Sequence, residues 1–176
     1  MIDLETTGSS SKEYDICQIG GVFLDRKFNV LGTFLSDVKP ISNIRQAEAM
    51  QVHKISEERL KIAPSLGDVL INFEKECLKW YGSFKEMFLG CWGGFFDIPF
   101  LRMKYEQNDF AWPFGYKYLC LKSFAIGLLL KKFGKVEMDG LASVARMLNI
   151  AVDEKKLHNG LEDALLTVKI MQELLK

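Results

Sequence analysis

The sequence predicts an α/β fold in which a central mixed β-sheet is flanked by α-helices. Two apolar runs, Ile16 to Leu24 and Phe28 to Val38, enclose the polar triplet Asp25-Arg26-Lys27 and predict a β-hairpin. After the hairpin, strand-like apolar runs alternate with segments of helical periodicity, which is typical of a sheet covered by helices. The 176 residues are 48% hydrophobic. We therefore expect a single domain over residues 1–176, with a sizeable core.

The remaining elements follow from local signals. A short strand is expected to end near Leu4, and residues 41–60 are expected to be irregular with short helical pieces. Ser65 behind Pro64 predicts a helix N-cap, and the helix should run to about Trp80. Further elements are expected at these positions: strands at Met87 to Trp92 and Tyr118 to Leu121, and helices at Phe95 to Gln107, Ser123 to Phe133, Gly140 to Leu148 and Leu161 to Leu175.

Composition limits the classes of function. The 23 basic and 23 acidic residues cancel, so a broad electrostatic grip on a long duplex is not expected, and a short contact with nucleic acid is favoured. The sequence shows no signal peptide and no apolar run long enough for a membrane span. The four cysteines are in no zinc-binding spacing. We expect a cytoplasmic protein with free thiols, and expect Cys17, Cys91 and Cys120 to be buried in their apolar surroundings.

Two carboxylates stand at the beginning of the chain, in Asp3-Leu4-Glu5-Thr6-Thr7-Gly8. Residues two apart on a strand point to the same face, so Asp3 and Glu5 should lie side by side. Ile2 and Leu4 should then face the core.

A third acidic position is predicted on the inward face of the last helix. Steps of three and four residues align Asp163 with Leu166 and Ile170, and they place Glu162 on the solvent side. A carboxylate on a buried face needs a partner, which a metal ion would provide. His158 is expected in the loop before the helix, with Asn159 as N-cap.

Such a set of residues suits phosphodiester hydrolysis. Clustered carboxylates repel one another until a proton or a cation relieves the repulsion, and Mg²⁺ prefers oxygen ligands. Two metal ions about 4 Å apart can activate a water molecule and hold the leaving oxygen, and a histidine is a suitable proton acceptor. A further carboxylate, Asp97, could by itself be explained as a residue favoured at a helix start, and His158 by itself as an ordinary loop histidine. The order of these residues along the chain, together with Asp3, Glu5 and Asp163, favours a nuclease.

In this order, Asp3-x-Glu5, Phe96-Asp97 and His158 with Asp163 resemble the three exonuclease motifs of the DEDDh family. These 3′→5′ exonucleases include the proofreading epsilon subunit of bacterial DNA polymerase III and RNase T, and the resemblance extends to about Leu175. It implies an RNase H-like fold. It also implies that two Mg²⁺ or Mn²⁺ ions are bound by Asp3, Glu5, Asp97 and Asp163, and that His158 is the general base.

The resemblance further implies contacts with a single-stranded 3′ end by Thr6, Thr7 and Phe96. His53 borders the corresponding pocket in epsilon-like sequences, where either a structural or a substrate-edge role is open. Thr6-Thr7 favours the DNA-proofreading branch, so we expect removal of nucleoside 5′-monophosphates from single-stranded DNA. Trimming of RNA ends is the alternative. A non-catalytic nucleic-acid or polymerase-binding module is the rival from another class, and both a polymerase partner and a homodimer stay open.

Three features depart from the family pattern. Trp92-Gly93 stands where the family often has His-Asn, and Gly160 stands where it usually has Ala. The glycine is expected to loosen the loop that carries His158. Only Met1 and Ile2 precede Asp3, so the first strand is expected to be short or truncated and its metal ligand poorly held.

Overall fold

A computed structural model describes residues 1–85, 87–134 and 140–176 of the chain. The strands are β1 (Ile2–Thr6), β2 (Ile16–Leu24), β3 (Val30–Asp37), β4 (Leu89–Cys91) and β5 (Tyr118–Cys120). The helices are α1 (Ala47–His53), α2 (Glu57–Lys61), α3 (Leu66–Tyr81), α4 (Asp97–Gln107), α5 (Leu121–Phe133), α6 (Leu141–Met147) and α7 (Gly160–Leu174). The order confirms the predicted hairpin followed by alternating strands and helices.

The strands pair in both directions. β1, β2 and β3 form an antiparallel sheet, β4 and β5 pair in parallel, and β1 lies beside β4. Met1 already belongs to this arrangement: its ammonium group donates to the carbonyl of Val22 at 2.7 Å, and the amide of Val22 donates back at 2.7 Å. β1 is therefore fixed to β2 from its beginning, contrary to the expectation that it is poorly held.

Helices cover both faces of β2. Phe23 packs with Phe73 of α3 on one face, at 6.2 Å between ring centroids. Val22 points the other way and packs with Ala164 and Val168 of α7. Because β2 is buried on both sides, its sequence is apolar along its length instead of alternating. The predicted architecture of a sheet between helices is confirmed.

Two helices begin at the capping residues that the sequence predicted. The Ser65 side chain accepts from the amide of Asp68 at the start of α3, and Asn159 caps α7. The helices predicted at 95 and 123 begin instead at Asp97 and Leu121. No helix in the described part of the chain is long and apolar enough to cross a membrane.

The cysteines are all free. Cys17 and Cys91 are buried as predicted, and so is Cys77. The prediction for Cys120 was wrong: it lies at the beginning of α5 and is half-buried.

Candidate active site

The first two site carboxylates are placed by the alternation of β1. Ile2 and Leu4 enter the core formed with α3 and α4. Asp3 and Glu5 therefore face the opposite side, toward α7, in the register that pairs them with Gly20 and Gln18 of β2. Glu5 is only 7% exposed, and Asp3 is half-buried.

Asp97 is joined directly to the central strand. It is the first residue of α4 and is buried, and its Oδ1 accepts a hydrogen bond from the amide of Leu4 at 3.1 Å. This contact brings the beginning of α4 beside Asp3 and Glu5, although the two segments are 93 residues apart. Phe96 precedes it with its ring half-buried against Phe100, at 5.4 Å between centroids.

The junction before α7 supplies the last two residues. Asn159 accepts from the amides at the helix start, so His158 lies outside the helix, as predicted. His158 is exposed and has a left-handed backbone, with φ of 63°. Its amide donates to Oδ2 of Asp163 at 3.0 Å, while Oδ1 of this buried carboxylate has no hydrogen-bond partner among the described residues. Asp163 thus fixes the loop and keeps one oxygen for another ligand.

These segments converge. One ligand atom each from Glu5, His158 and Asp163 lie within 4.8 Å of one another. Burial and the charges of Asp163 and Asp97 raise the pKa of Glu5 to about 8. Burial, then the neighbouring carboxylates, raises the pKa of Asp3 well above its usual range, and burial raises the pKa of Asp97 and Asp163. The negative charges are thus crowded in a poorly solvated place and favour neutralisation.

A divalent cation fits this donor set. The free Oδ1 of Asp163 is a buried acceptor that requires a partner, and the neighbouring groups offer carboxylate oxygens and one imidazole. Oxygen-rich sites of this kind suit Mg²⁺ or Mn²⁺. Glu5 and Asp163 are the carboxylates that the structure groups with His158 and that would hold it. Asp3 and Asp97 lie outside this group of three, and their part as further ligands stays a prediction.

Sequence reasoning missed Gln18, a fully buried polar residue of β2. Its Oε1 accepts from the amide of Gly160 at 2.9 Å, and its Nε2 donates to Asp37 at 2.8 Å. The side chain therefore holds the first residue of α7 against the sheet. A glutamine in an otherwise apolar strand was the available signal, because a buried amide requires partners for both of its ends.

Gly160 is required by packing, which corrects the expectation that it loosens the loop. A Cβ atom on Gly160 would lie 2.9 Å from the amide nitrogen of Gly20, and one on Gly20 would lie 1.9 Å from the carbonyl carbon of Gly160. The two backbones approach closely because neither residue has a side chain. α7 can then bring Asp163 near β1.

The two threonines after Glu5 are turned inward. Thr6 donates from Oγ1 to the carbonyl of Gly8 at 2.8 Å. Thr7 is fully buried, and its Oγ1 accepts from the amide of Asp15 at 2.9 Å. Both hydroxyl groups shape the loop that follows β1, and their contact with a substrate stays a prediction.

His53 is buried, and both of its ring nitrogens have neighbours. Nδ1 accepts from the amide of Ile55 at 3.0 Å, and Nε2 lies 3.5 Å from the sulfur of Cys17. Burial, and then the charge of His158, lowers the pKa of His53. A neutral ring with Nε2–H directed to sulfur follows, which favours the structural role over the substrate-edge role.

The carboxylate cluster is separate from an apolar cavity of about 1090 Å³. This cavity lies between the end of β2 and the beginning of β4 and is lined by residues such as Phe73, Trp80 and Met87. None of the five site residues lines it. Large apolar cavities are common ligand sites; the charged side chains that line this one are Asp25, Arg26 and Lys85, which belong to other parts of the chain than the cluster.

Comparisons with known proteins agree with this fold. The Exonuclease (RNase T) family matches residues 1–171, and the chain therefore belongs to this family of nucleases. The grouping of Glu5, His158 and Asp163 agrees with the DEDDh resemblance of the sequence motifs. No curated protein matches the sequence significantly.

Solved structures show the same fold at low sequence identity. Cell-death related nuclease 4 is 15% identical with a TM-score of 0.83, over 99% of this chain and 62% of that one. The nuclease domain of 3′hExo, a DEDDh family member bound to rAMP, is 21% identical with a TM-score of 0.77, over 99% of this chain and 89% of that one. E. coli Exonuclease I, in complex with a 5cy-dT13 oligonucleotide, is 16% identical with a TM-score of 0.77, over 98% of this chain and 39% of that one. The chain thus spans less than two thirds of the first of these proteins.

Proposed function

We propose that this protein is a two-metal-ion 3′→5′ exonuclease that removes nucleoside 5′-monophosphates from single-stranded DNA ends. The observation that carries the proposal is the meeting of ligand atoms of Glu5, His158 and Asp163 within 4.8 Å, together with an Asp163 oxygen that has no hydrogen-bond partner in the described part of the chain. Raised carboxylate pKa values at the same place support cation binding. Without a cation or protons, the crowded carboxylates of the buried cluster would repel one another.

The carboxylates and the histidine have different parts in the proposed reaction. Asp3, Glu5, Asp97 and Asp163 bind Mg²⁺ or Mn²⁺, which when present would activate the water and stabilise charge on the leaving oxygen. His158 accepts the proton of the attacking water. Its exposed position in a loop held by Asp163 leaves the ring accessible to solvent while its backbone is fixed. Mobile catalytic groups are commonly carried by such loops.

DNA is proposed as the substrate because Thr6-Thr7 follows Glu5, as in proofreading sequences. RNA is the second candidate, since one structural neighbour is bound to rAMP while another is in complex with a 5cy-dT13 oligonucleotide. A preference for RNA would show that a 2′-hydroxyl group is recognised.

The test is a time course of the purified protein on 5′-labelled single-stranded DNA and RNA of the same sequence, with Mg²⁺, Mn²⁺ or EDTA. We expect a metal-dependent ladder that shortens from the 3′ end, faster on DNA. Asp163→Ala should abolish cleavage, and Glu162→Ala, which changes the adjacent carboxylate outside the cluster, should keep it. Cleavage by pure Asp163→Ala protein, or none by the wild type, would contradict the proposal.

Calorimetric titration with Mn²⁺ separates the enzyme from a non-catalytic binding module. We expect binding by the wild-type protein and by Glu162→Ala, and greatly weakened binding by Asp163→Ala. A protein that binds DNA but takes up no Mn²⁺ would support the binding module instead.

A further inference from the structure

The segment Trp92-Gly93-Gly94-Phe95 joins β4 to α4 and has no part in the proposed reaction. It is also the place where the sequence departs from the family's His-Asn. The segment leaves the carboxyl end of β4 and reaches Asp97 two residues after Phe95, so it borders the carboxylate cluster. The amide of Phe96 donates to the carbonyl of Gly93 at 2.9 Å, which closes a tight turn.

Phe95 presents its ring to solvent beside this turn. It is 76% exposed, a large fraction for a phenylalanine. A Cβ atom placed on Gly93 would lie 3.4 Å from Cε1 of Phe95, so the ring rests against the glycine backbone. A side chain at position 93 would occupy part of this space.

A second aromatic ring lies against the next glycine. A Cβ atom on Gly94 would lie 2.5 Å from Cε2 of Tyr118 and 3.0 Å from Cβ of Cys120. Tyr118 is itself 49% exposed, and the amide of Gly94 donates to the sulfur of Cys120 at 3.4 Å. We call Gly93, Gly94, Phe95 and Tyr118 the aromatic ledge.

The chemistry of the ledge fits a nucleobase. Every base has a π-face, and stacking on aromatic side chains holds single strands with little dependence on sequence. Two lysines are neighbours of the ledge along the chain or through the backbone: Lys117 precedes Tyr118 and has its Nζ 5.8 Å from the Tyr116 ring centroid, and the amide of Lys122 donates to the carbonyl of Trp92 at 2.9 Å. The ledge is therefore apolar with basic neighbours, whereas the adjoining cluster is acidic.

We propose that the aromatic ledge stacks a base of the single strand on the 5′ side of the departing nucleotide, with Phe95 as the stacking residue. The proposal rests on the proposed function, since the strand must enter beside Asp97 for its 3′ end to reach the cluster. Phe95 is then a substrate-positioning residue that acts on binding and leaves the chemical step to the carboxylates and His158. A protein partner docked on the ledge is the competing occupant.

Phe95→Ala tests the ledge, with Phe88→Ala as the matched control. Phe88 is 63% exposed and precedes β4, at the end opposite to Phe95. On an oligothymidine decamer we expect Phe95→Ala to raise KM by about 5- to 100-fold, the range that loss of one stacked base produces. Phe88→Ala should leave KM unchanged, and Phe95→Trp should retain the wild-type value.

A small substrate separates positioning from chemistry. The p-nitrophenyl ester of thymidine 5′-monophosphate has no upstream base, so Phe95→Ala should hydrolyse it at the wild-type rate. An abasic nucleotide can be placed at successive positions from the 3′ end. At one of these positions it should raise the KM of the wild type and leave the KM of Phe95→Ala unchanged. If Phe95→Ala lost equal activity on the ester and the decamer, or lost none on either substrate, the proposal that Phe95 stacks a base would be overturned.

Binding measurements keep this test independent of catalysis. Fluorescence anisotropy with a labelled oligothymidine decamer in Ca²⁺ should show weaker binding by Phe95→Ala than by the wild type and Phe88→Ala. This result would support the ledge even if the protein cleaved nothing, which would contradict the proposed function alone. Equal affinities of the three proteins would overturn the ledge and favour a protein partner at that surface.

Discussion

The backbone amide of Gly160 donates a hydrogen bond of 2.9 Å to Oε1 of Gln18, a residue 142 positions earlier in the chain. Gln18 is completely buried and is held in turn by Asp37, which also pairs with Arg59 of α2. The start of α7 is thus attached to the sheet by a polar contact directly beside the loop of His158. The position of the proposed base therefore depends on the cross-strand neighbour of Glu5.

Gln18→Met should destabilise the protein. The apolar side chain fills the space but leaves the Gly160 amide without its partner, while Asp37 keeps its pair with Arg59. An unsatisfied buried group costs about 1–3 kcal/mol. Denaturant titration measures the change in the free energy of unfolding. Gln51→Met, at an exposed position of α1, should stay within about 0.5 kcal/mol of the wild type. Equal stability of both variants would show that the contact contributes little.

Gly20→Ala should be destabilising for a steric reason. Its Cβ atom would lie 1.9 Å from the carbonyl carbon of Gly160, so α7 must move away from β2, at a cost of about 1–3 kcal/mol or more. Gly127→Ala in α5, where a Cβ atom would meet no described residue within 4 Å, should be neutral or stabilising by about 0.5–1 kcal/mol. Thermal unfolding of the two variants gives the comparison, and similar melting temperatures would contradict the close approach.

Glu5→Gln should stabilise the metal-free protein at alkaline pH. The pKa of Glu5 is raised from 4.5 to about 8 in the folded state. The folded state therefore binds this proton more tightly than the unfolded chain, and stability falls as pH rises from 4.5 to about 8. The glutamine removes this loss. At pH 8 we therefore expect the free energy of unfolding to rise by at least about 1 kcal/mol and the melting temperature by about 2–4 °C, and we expect little change at pH 4.

Thermal unfolding in EDTA at the two pH values measures this effect. Glu162→Gln is the control, since this carboxylate lies outside the cluster. Mn²⁺ should raise the melting temperature of the wild type more at pH 8 than at pH 6, because its ligands must be deprotonated. A pH-independent shift by Mn²⁺ would argue that the cation binds elsewhere.

His158→Ala should separate proton transfer from metal binding. Loss of a general base lowers kcat by about 10²- to 10⁴-fold, while the four carboxylates remain in place to bind Mn²⁺. Steady-state kinetics and calorimetry on the same preparation give both quantities. Lys155→Ala, an exposed substitution in the same loop, should change neither. A loss of Mn²⁺ affinity as large as the loss of rate would make His158 a ligand instead of a base.

The ion pair of Lys104 with Asp15 should be important for stability. Both residues are buried, and Nζ lies 3.2 Å from Oδ1. Lys104→Met leaves the carboxylate buried without its cation, which typically costs about 3–5 kcal/mol.

The double variant Lys104→Met/Asp15→Asn should recover most of this loss, since it also removes the unpaired charge. Arg102→Met in the same helix breaks an exposed pair with Glu106, and should cost less than about 1 kcal/mol. Urea titrations of the three proteins test the difference. A small effect of Lys104→Met would indicate that Asp15 becomes protonated or hydrated.

Local patterns were sufficient to predict the elements and the outline of the cluster. The period of two in β1 placed Asp3 and Glu5 together, and the helical period of α7 placed Asp163 inward. The spacing of five residues put His158 outside the helix. The order of the motifs then indicated the family, which the comparison confirms.

Contacts between distant residues were beyond local patterns. Nothing near Thr7 in the sequence indicates that its hydroxyl accepts from Asp15, and nothing near Gly160 indicates that Gly20 lies against it. Such relations depend on how sheet and helix meet in three dimensions. The same holds for Phe95, whose exposure follows from the turn made by Gly93 and Gly94 and not from its apolar character.

The last site residues to be synthesised are His158, just before α7, and Asp163 on α7, and this helix also covers one face of β2. A nascent chain that has not yet released this helix from the ribosome holds Asp3, Glu5 and Asp97 without Asp163 and His158. It also leaves Val22 and Gly20 uncovered. Docking of one helix therefore completes both the packing on this face of β2 and the carboxylate cluster in the same event.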